Sequence, residues 1–401
     1  MKTTRADPQP ADFTDVRATN LAVVLRHLRA NGPSSRASIA ASTGLNKATV
    51  SSLTGHLIEQ RLLRETGLSG NRIGRPGTAL ALDGSAYAAI GLQVAADRLT
   101  ALALDFAGDQ LLLWHRALAL PGDPAGAAGR SVSAIAALAQ RAASRVRQQG
   151  RQVLGITVAV PGLVEEGGTV RLSPPLGWSD LDLRGLLSGS LRQPDLDIAV
   201  ANQASLAALA ELRHNGDPRL DLTYVSGASG VEAGIVADGR LLHGARGFTG
   251  QIGRFTLGPA GAPTLADLAG IEPLVRRALP GSDPESHTDL APAVEEVAIR
   301  ARTGDPATLA ALRDTGGHLG QGLALLANLV NPEIIVLGDH YAALAEWILP
   351  AAEAELARNT LAPAAGGARL TTSALGLHAA ALGGAVSHLD RIDTGSLPAR
   401  G

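Results

Sequence analysis

The stretch from Arg36 to Arg64, RASIAASTGLNKATVSSLTGHLIEQRLLR, admits few backbone arrangements. Its apolar positions fall at helical spacing twice, and Ser42, Thr43 and Gly44 interrupt the pattern between them. Ile39 and Ala40 give the first segment an apolar face. Gly44 is the residue type that most easily supplies the left-handed turn joining two short helices. Val50, Leu53, Leu57 and Ile58 then line one side of a second helix starting near Asn46. The other side holds Asn46, Lys47, Thr49, Ser51, Ser52 and His56, with no acid before Glu59. A helix that only covers a core more often shows Glu and Lys four residues apart. A small, polar, weakly basic face suits a helix laid in a DNA major groove. The competing reading is an ordinary amphipathic helix pair.

The flanks extend the pattern. Leu21, Val24, Leu25 and Leu28 form the stripe of an earlier helix over about Asp15–Asn31, which Asn31-Gly32-Pro33 ends. Ser34 or Ser35 is placed to cap the next helix, and Ser35 and Arg36 join the candidate DNA contacts at its start. Leu62–Arg64 and Thr78–Leu82 read as a pair of strands. Between them ETGLSGNRIGRPG forms a basic, Gly-rich tip. Its Arg72 and Arg75 would enter a narrow minor groove, with Gly74 and Pro76 keeping the backbone slim. The plainer role for this tip is to keep a hairpin soluble. Together these segments predict a winged helix-turn-helix over residues 15–85, preceded by a polar, disordered 1–14. Residues 1–85 carry 11 Lys and Arg against 6 Asp and Glu, whereas the whole chain has a net charge of −2. A basic front on an acidic body implies that the front alone meets a polyanion, here double-stranded operator DNA.

The remainder needs a large core from few aromatic residues. Hydrophobic residues make up 45% of the 401 and aromatic ones 2%, so Ala, Val, Leu and Ile must fill it. There is no cysteine, which excludes disulfides, thiolate nucleophiles and Cys-based zinc sites. The start, MKTTRADPQPADF, lacks the apolar run of a secretory signal. The charge-free Leu319–Val330 contains Gly, Gln and Asn and fits a buried helix better than a membrane span. A soluble, cytoplasmic protein without membrane contact is expected. From Ala88 two strands turn at Ala107-Gly108-Asp109, and a third lies near Trp114–Leu118. A helix at about Arg130–Gln149, an apolar strand at Gln152–Val160, a short strand at Ile198–Val200 and a helix over Gln203–His214 follow. Thr223–Ser226 and Val231–Ala237 make a hairpin; Gly316–Val330 is a helix and Ile334–Leu337 a buried strand. Strand triplet, helix, strand occurs twice, which predicts two α/β lobes with a cleft between them.

Several segments, in order, resemble the ROK family of repressors, open reading frames and kinases. They are GLNKATVSSLTGHLIEQRLLRE, GRPGTALALD, GITVAVPGLVE, PPLGW, VANQASLAALAE, GVEAGIVADGRLLHGARGFTGQIGRF and NPEIIVLG, spread over about Asn20–Asp390. The resemblance implies a two-lobed actin- and hexokinase-like (ribonuclease H-like) ATPase-type body over residues 86–395. The family's enzymes phosphorylate sugars with ATP. Its repressors bind operators and commonly respond to sugars or sugar phosphates.

Departures from the family pattern choose between those branches. Where the kinases carry an acid and a Gly in their first phosphate turn, this chain has Gln93 and Ala95. Phosphate turns need Gly so that backbone N–H groups approach the oxygens. Glu232 stands where the second turn has a Gly, and a carboxylate there repels a triphosphate. Gln203 follows Asn202 where the resemblance places the catalytic Asp, and Gln cannot act as a general base. The body is therefore expected not to be an enzyme. Arg254 replaces the His of the family's structural zinc site, and its three Cys are absent, so neither metal nor cofactor is expected. Of the implied sugar contacts Asn202 is kept, Gln251 replaces a Glu, Arg254 replaces the His, and Ala266 falls where a last Glu is expected. Asn202, Gln203, Gln251 and Arg254 are the candidate effector set, for a neutral sugar, a phosphorylated sugar drawn to Arg254, or no ligand. The expected protein is a repressor of carbohydrate-related genes, as a homodimer or homotetramer paired through helices such as Gly316–Val330. Its rivals are an ATP-dependent sugar kinase with an appended DNA module and a ligand-independent repressor.

Overall fold

In the computed structural model Gly44 stands at φ 75° and its N–H closes onto the Ala40 carbonyl at 3.1 Å, ending one short helix and turning the chain into the next. The structure describes residues 13–68, 78–96, 98–118, 124–193, 196–227, 230–281, 290–361 and 367–398. Helix α1 (Phe13–Asn31) starts two residues inside the stretch expected to be disordered, a shift within the usual fraying of helix ends; residues 1–12 lie outside the described ones. Then come β1 (Ser34–Ser35), α2 (Arg36–Thr43), α3 (Lys47–Glu59), β2 (Leu63–Leu68) and β3 (Thr78–Leu82). β3 pairs antiparallel with both β2 and β1, giving a three-stranded sheet in the order β1-β3-β2. The short β1 was not legible beforehand. Ser35 caps α2 by accepting the Ser38 N–H at 3.2 Å, and Asn46 caps α3 by accepting the Thr49 N–H at 2.7 Å. Leu21, Val24, Leu25 and Leu28 pack with Ile39, Val50, Leu53 and Leu57 in one core, while Ile58 is half-buried against it. The winged arrangement is thus present up to its tip, and Arg72, Gly74 and Arg75 lie outside the described residues.

The first lobe is built on β4 (Tyr87–Val94), β5 (Arg98–Asp105) and β6 (Gln110–Ala117). The last of these begins four residues earlier than the Trp114 start expected. Helix α4 (Pro124–Gln148) leads to β7 (Gln152–Val160), then a small sheet of β8 (Leu163–Val164), β9 (Thr169–Ser173) and β10 (Trp178–Asp182). Helix α5 (Leu183–Leu191), β11 (Asp197–Asn202) and α6 (Gln203–Asn215) follow. The main sheet has the order β11-β7-β4-β5-β6, with β4, β7 and β11 parallel and β5 antiparallel to both neighbours. Its outer face packs on α4 and α5 through Val, Leu, Ile and Ala, as the scarcity of aromatic residues requires.

The second lobe carries β12 (Leu222–Ser226), β13 (Glu232–Ala237), β14 (Arg240–Leu241), β15 (Ile334–Leu337) and β16 (Arg369–Thr372), in the order β14-β13-β12-β15-β16. Its outer helices are α7 (Leu265–Ala269), α8 (Ile271–Ala278), α9 (Leu290–Arg302), α10 (Pro306–Val330), α11 (Asp339–Ala343) and α12 (Ala345–Asn359). The last helix, α13 (Ala379–Asp393), returns to the first lobe. It lies on the inner face of the first sheet, and α6 lies between it and β12 and β13 of the second. These two helices are the inner layers of the body, and both are rich in small residues, Ala in α6 and Ala and Gly in α13, because their backbones nearly touch. No described helix is long and apolar enough to cross a membrane.

Candidate functional site

Two sites were expected, and the structure treats their residues unequally. On α3, Asn46, Lys47, Ser51 and Ser52 are exposed on the face away from the core, while Thr49 and His56 are half-buried. The Asn46 Oδ1 is committed to the helix cap. Ser35 is committed in the same way to α2. Arg36 is tied inside the module: its Nε donates to Thr54 Oγ1 at 3.2 Å and its Nη2 pairs with Glu65 at 3.1 Å. Ser35 and Arg36 therefore shape the module, and the open polar surface is the N-terminal half of α3.

The cleft is organised by a residue that the sequence marked only as a defect. Glu232 begins β13 and is 6% exposed. The N–H of Gly162, just beyond β7, donates to its Oε1 at 2.8 Å, and Gln251 Nε2 donates to the same oxygen at 3.3 Å. Asn202 Nδ2 and Gln203 Nε2 donate to Oε2 at 3.3 and 3.4 Å. Asn202 also donates to the Gly162 carbonyl at 2.9 Å and caps α6 by accepting the Ser205 N–H at 3.0 Å. Thus Asn202, Gln203 and Gln251 converge as expected, and they do so on one carboxylate that bridges the two lobes. Arg254 does not join them. Its side chain is exposed, and its charge acts on Asp267, whose carboxyl is lowered first by its Thr264 hydrogen bonds. A carboxylate inside the apolar run Val231–Val236 was the signal that could have located this centre.

Burial pushes Glu232 up to about 7, against the lowering effect of the four donors. A second buried acid, Asp339, follows the buried strand β15 at φ 49° and accepts the Ser226 Oγ–H at 2.5 Å. Burial pushes it up to about 6. Ser226 opens the second Gly-rich turn, so that turn has an acid beside it as well as one after it. Both groups titrate above their unfolded values. Their stabilisation is complete below about pH 4 and is lost as pH rises through 6 to 7, on the order of 3 kcal/mol for each. The Glu232→Gln variant should therefore show a shallower fall in urea midpoint between pH 5 and pH 8 than the parent. An identical fall in both would place the titration elsewhere.

The donor set does not fit the structural zinc that the family resemblance implies, since Arg254 cannot ligate it and the chain has no cysteine. The ROK family profile matches residues 129–390. The chain belongs to the ROK family. Residues 18–67 separately match the IclR helix-turn-helix domain. The xylose repressor of Bacillus spizizenii is 26% identical over 385 residues, covering 93% of this chain and 95% of that protein. A putative xylose repressor of Caldicellulosiruptor sp. is 30% identical over 345 residues, covering 81% and 84%. Among solved structures, a ROK family transcriptional regulator described as a homolog of the E. coli MLC protein superposes with a TM-score of 0.75 at 22% identity, covering 95% of this chain and 98% of that one. A Streptomyces griseus ROK glucokinase, solved with glucose and AMPPNP, superposes at 0.60 and 22% identity, covering 75% of this chain and 98% of the enzyme. The kinase likeness accounts for a ROK body, and the regulator likeness extends over nearly the whole chain.

Proposed function

We propose that this protein is a sequence-specific DNA-binding transcriptional regulator, a repressor of carbohydrate-related genes, whose ROK body has lost the kinase reaction and senses a sugar or sugar phosphate. The observation that carries the reading is the pairing of a winged module, which presents the open α3 face, with a body whose Gln203 replaces the expected base. Asn46, Lys47, Thr49, Ser51, Ser52 and His56 meet bases or phosphates, and Arg72, Gly74 and Arg75 enter beside them. Phosphate contacts position the module and base contacts specify the sequence. Two copies of the chain present two modules to half-sites about one helical turn apart. The names of the xylose repressors support a sugar as effector.

In the cleft, amide donors from Asn202, Gln203 and Gln251 alternate with the Glu232 acceptor, the pattern that sugar hydroxyls pair with. The same centre is hostile to phosphoryl transfer. Glu232 and Asp339 set buried acids on either side of the second Gly-rich turn, where a triphosphate needs donors. Gln203 accepts no proton from a sugar hydroxyl at neutral pH. The protein works in the cytoplasm, with residues 15–85 as reading module and 86–395 as sensing body, and needs neither metal nor cofactor.

Coupled ADP release over a panel of sugars tests the loss of catalysis. The expected result is no turnover above the ATP blank for any sugar. Saturable, sugar-dependent ADP release would restore the kinase reading.

A further inference from the structure

The winged module is not a bead on a tether. Leu21, Val24, Leu25 and Leu28 of α1 share one core with Ala381, Ala385, Val386, Leu389 and Ile392 of α13. At the end of that seam Arg29 of α1 grips Asp393 of α13 with both edges of the carboxylate, Nε to Oδ2 at 2.5 Å and Nη2 to Oδ1 at 3.0 Å. Its Nη1 donates to the Phe106 carbonyl at 3.1 Å, and its guanidinium lies 5.0 Å from the Phe106 ring centroid. Bidentate pairing with a third donor fixes the orientation of a guanidinium as well as its place.

The same Oδ2 of Asp393 also faces Arg213 Nη1 of α6, at 3.5 Å, and Arg213 pairs in addition with Asp390. Asp393 is 7% exposed in its side chain, against 16% for Arg29 and 19% for Arg213. Two guanidinium groups, one from the reading module and one from the body, thus meet on one buried oxygen. Neither Arg can move without changing what the other sees, because a buried charge that loses its partner is costly.

Arg213 belongs to the helix that starts at the cleft. Asn202 caps α6 and Gln203 is its first residue, both on Glu232, and Arg213 lies three turns on. That helix is clamped on two sides. A Cβ at Gly383 would stand 1.7 Å from the Leu206 carbonyl oxygen, and one at Gly234 would stand 2.0 Å from that of Ala204. Packed this closely, α6 and α13 move as one body, so a displacement at Gln203 reappears at the Arg213–Asp393 end. Beneath the end of α3, a groove of about 580 Å³ runs where Glu59, Gln60 and Arg61 of the module meet Ala86, Tyr87 and Gln152 of the first lobe. The module is held along the α1–α13 seam and by the core that Leu62, Leu63 and Leu80 share with Tyr87 and Phe106 of the first lobe.

We propose that Asp393 is the positioning residue through which the state of the interlobe cleft sets the orientation of the winged module on the body. This rests on the regulator reading for its consequence, the spacing of two modules on an operator, but the coupling itself is a property of the single chain. A change at Glu232 shifts α6 together with the α13 packed on it, and Asp393, held by Arg213 from α6, carries that shift to Arg29 of α1.

The chain has no cysteine, so cysteines introduced at Ser42 and Gln140 carry spin labels at those two places alone. Both positions are exposed, one on the module and one on α4 of the first lobe. Pulsed electron resonance on the full chain then measures the distance between them with and without Glu232→Gln, which serves as the probe of the cleft. The expected result is a distance shift of about 1–2 Å on Glu232→Gln, the scale of a helix shift carried to an interface. In an Asp393→Asn background the same probe should leave the distribution unmoved. Arg29→Gln closes the same cycle from the module side if Asp393→Asn fails to give a native circular dichroism spectrum. Arg29→Lys, which keeps an ion pair, should keep the shift. A residue that only added stability would lower the melting temperature without abolishing the response to the probe. An equal shift in both backgrounds, or no shift in either, overturns the junction. Loss of duplex binding by the parent protein would sink the regulator reading and leave the junction standing.

Discussion

Replacing Lys47, Arg72 and Arg75 together by alanine is expected to weaken binding to a duplex operator by roughly 100-fold near physiological salt and to flatten the salt dependence. Each cation that neutralises a phosphate releases counterions, so three lost contacts reduce the slope of log K against log salt by about 2.7. Lys47 is exposed on the first turn of α3, where its removal leaves the fold untouched. The caps of α2 and α3 rest on Ser35 and Asn46, and the core on Leu53 and Leu57, none of which the triple variant changes. Affinity should therefore fall without a change in the unfolding midpoint. A gel-shift titration that matches the parent at two salt concentrations would remove this surface from the interface.

Gly383→Ala is expected to cost stability of about 3 kcal/mol or more. Gly383 sits inside α13, where alanine would ordinarily favour the helix by about 1 kcal/mol. The gain is overridden by sterics, since the new Cβ would lie 1.7 Å from the Leu206 carbonyl oxygen and 2.4 Å from its carbon. Backbone cannot rotate away as a side chain does, so α6 and α13 must separate, opening a core that also holds Ala207, Ala208 and Ala380. Separation displaces Asn202 and Gln203 as well, because they stand at the start of α6. Urea unfolding followed by circular dichroism should show a lower midpoint than for Gly129→Ala, an open position on α4. Equal midpoints would mean that the two helices are less closely packed than described.

The parts of this molecule that declare themselves in sequence are those governed by local rules. Helical spacing of Val50, Leu53 and Leu57, the Gly44 turn and the capping of α2 by Ser35 are written into a few adjacent residues. The apolar strand Gln152–Val160 is equally plain, being covered on both faces. The Glu232 centre was not legible in the same way. Its four donors come from Gly162, Asn202, Gln203 and Gln251, which only the folded topology brings together. Arg36 and Arg254 show the converse. Residue type made both attractive as ligands, and tertiary neighbours assigned them elsewhere, to Glu65 and toward Asp267. The α13 helix, its Asp393 and the two arginines around it arise from contacts across more than 170 residues of chain, beyond the reach of periodicity or motif.

The most direct test is to incubate the full-length protein with sheared genomic duplex and to sequence what it retains. A small set of fragments should be enriched, sharing two related half-sites about one helical turn apart, and the enrichment should vanish with the Lys47, Arg72 and Arg75 triple variant. Retention that follows fragment length alone, or none at all, would contradict a body of kinase ancestry serving a DNA-reading head.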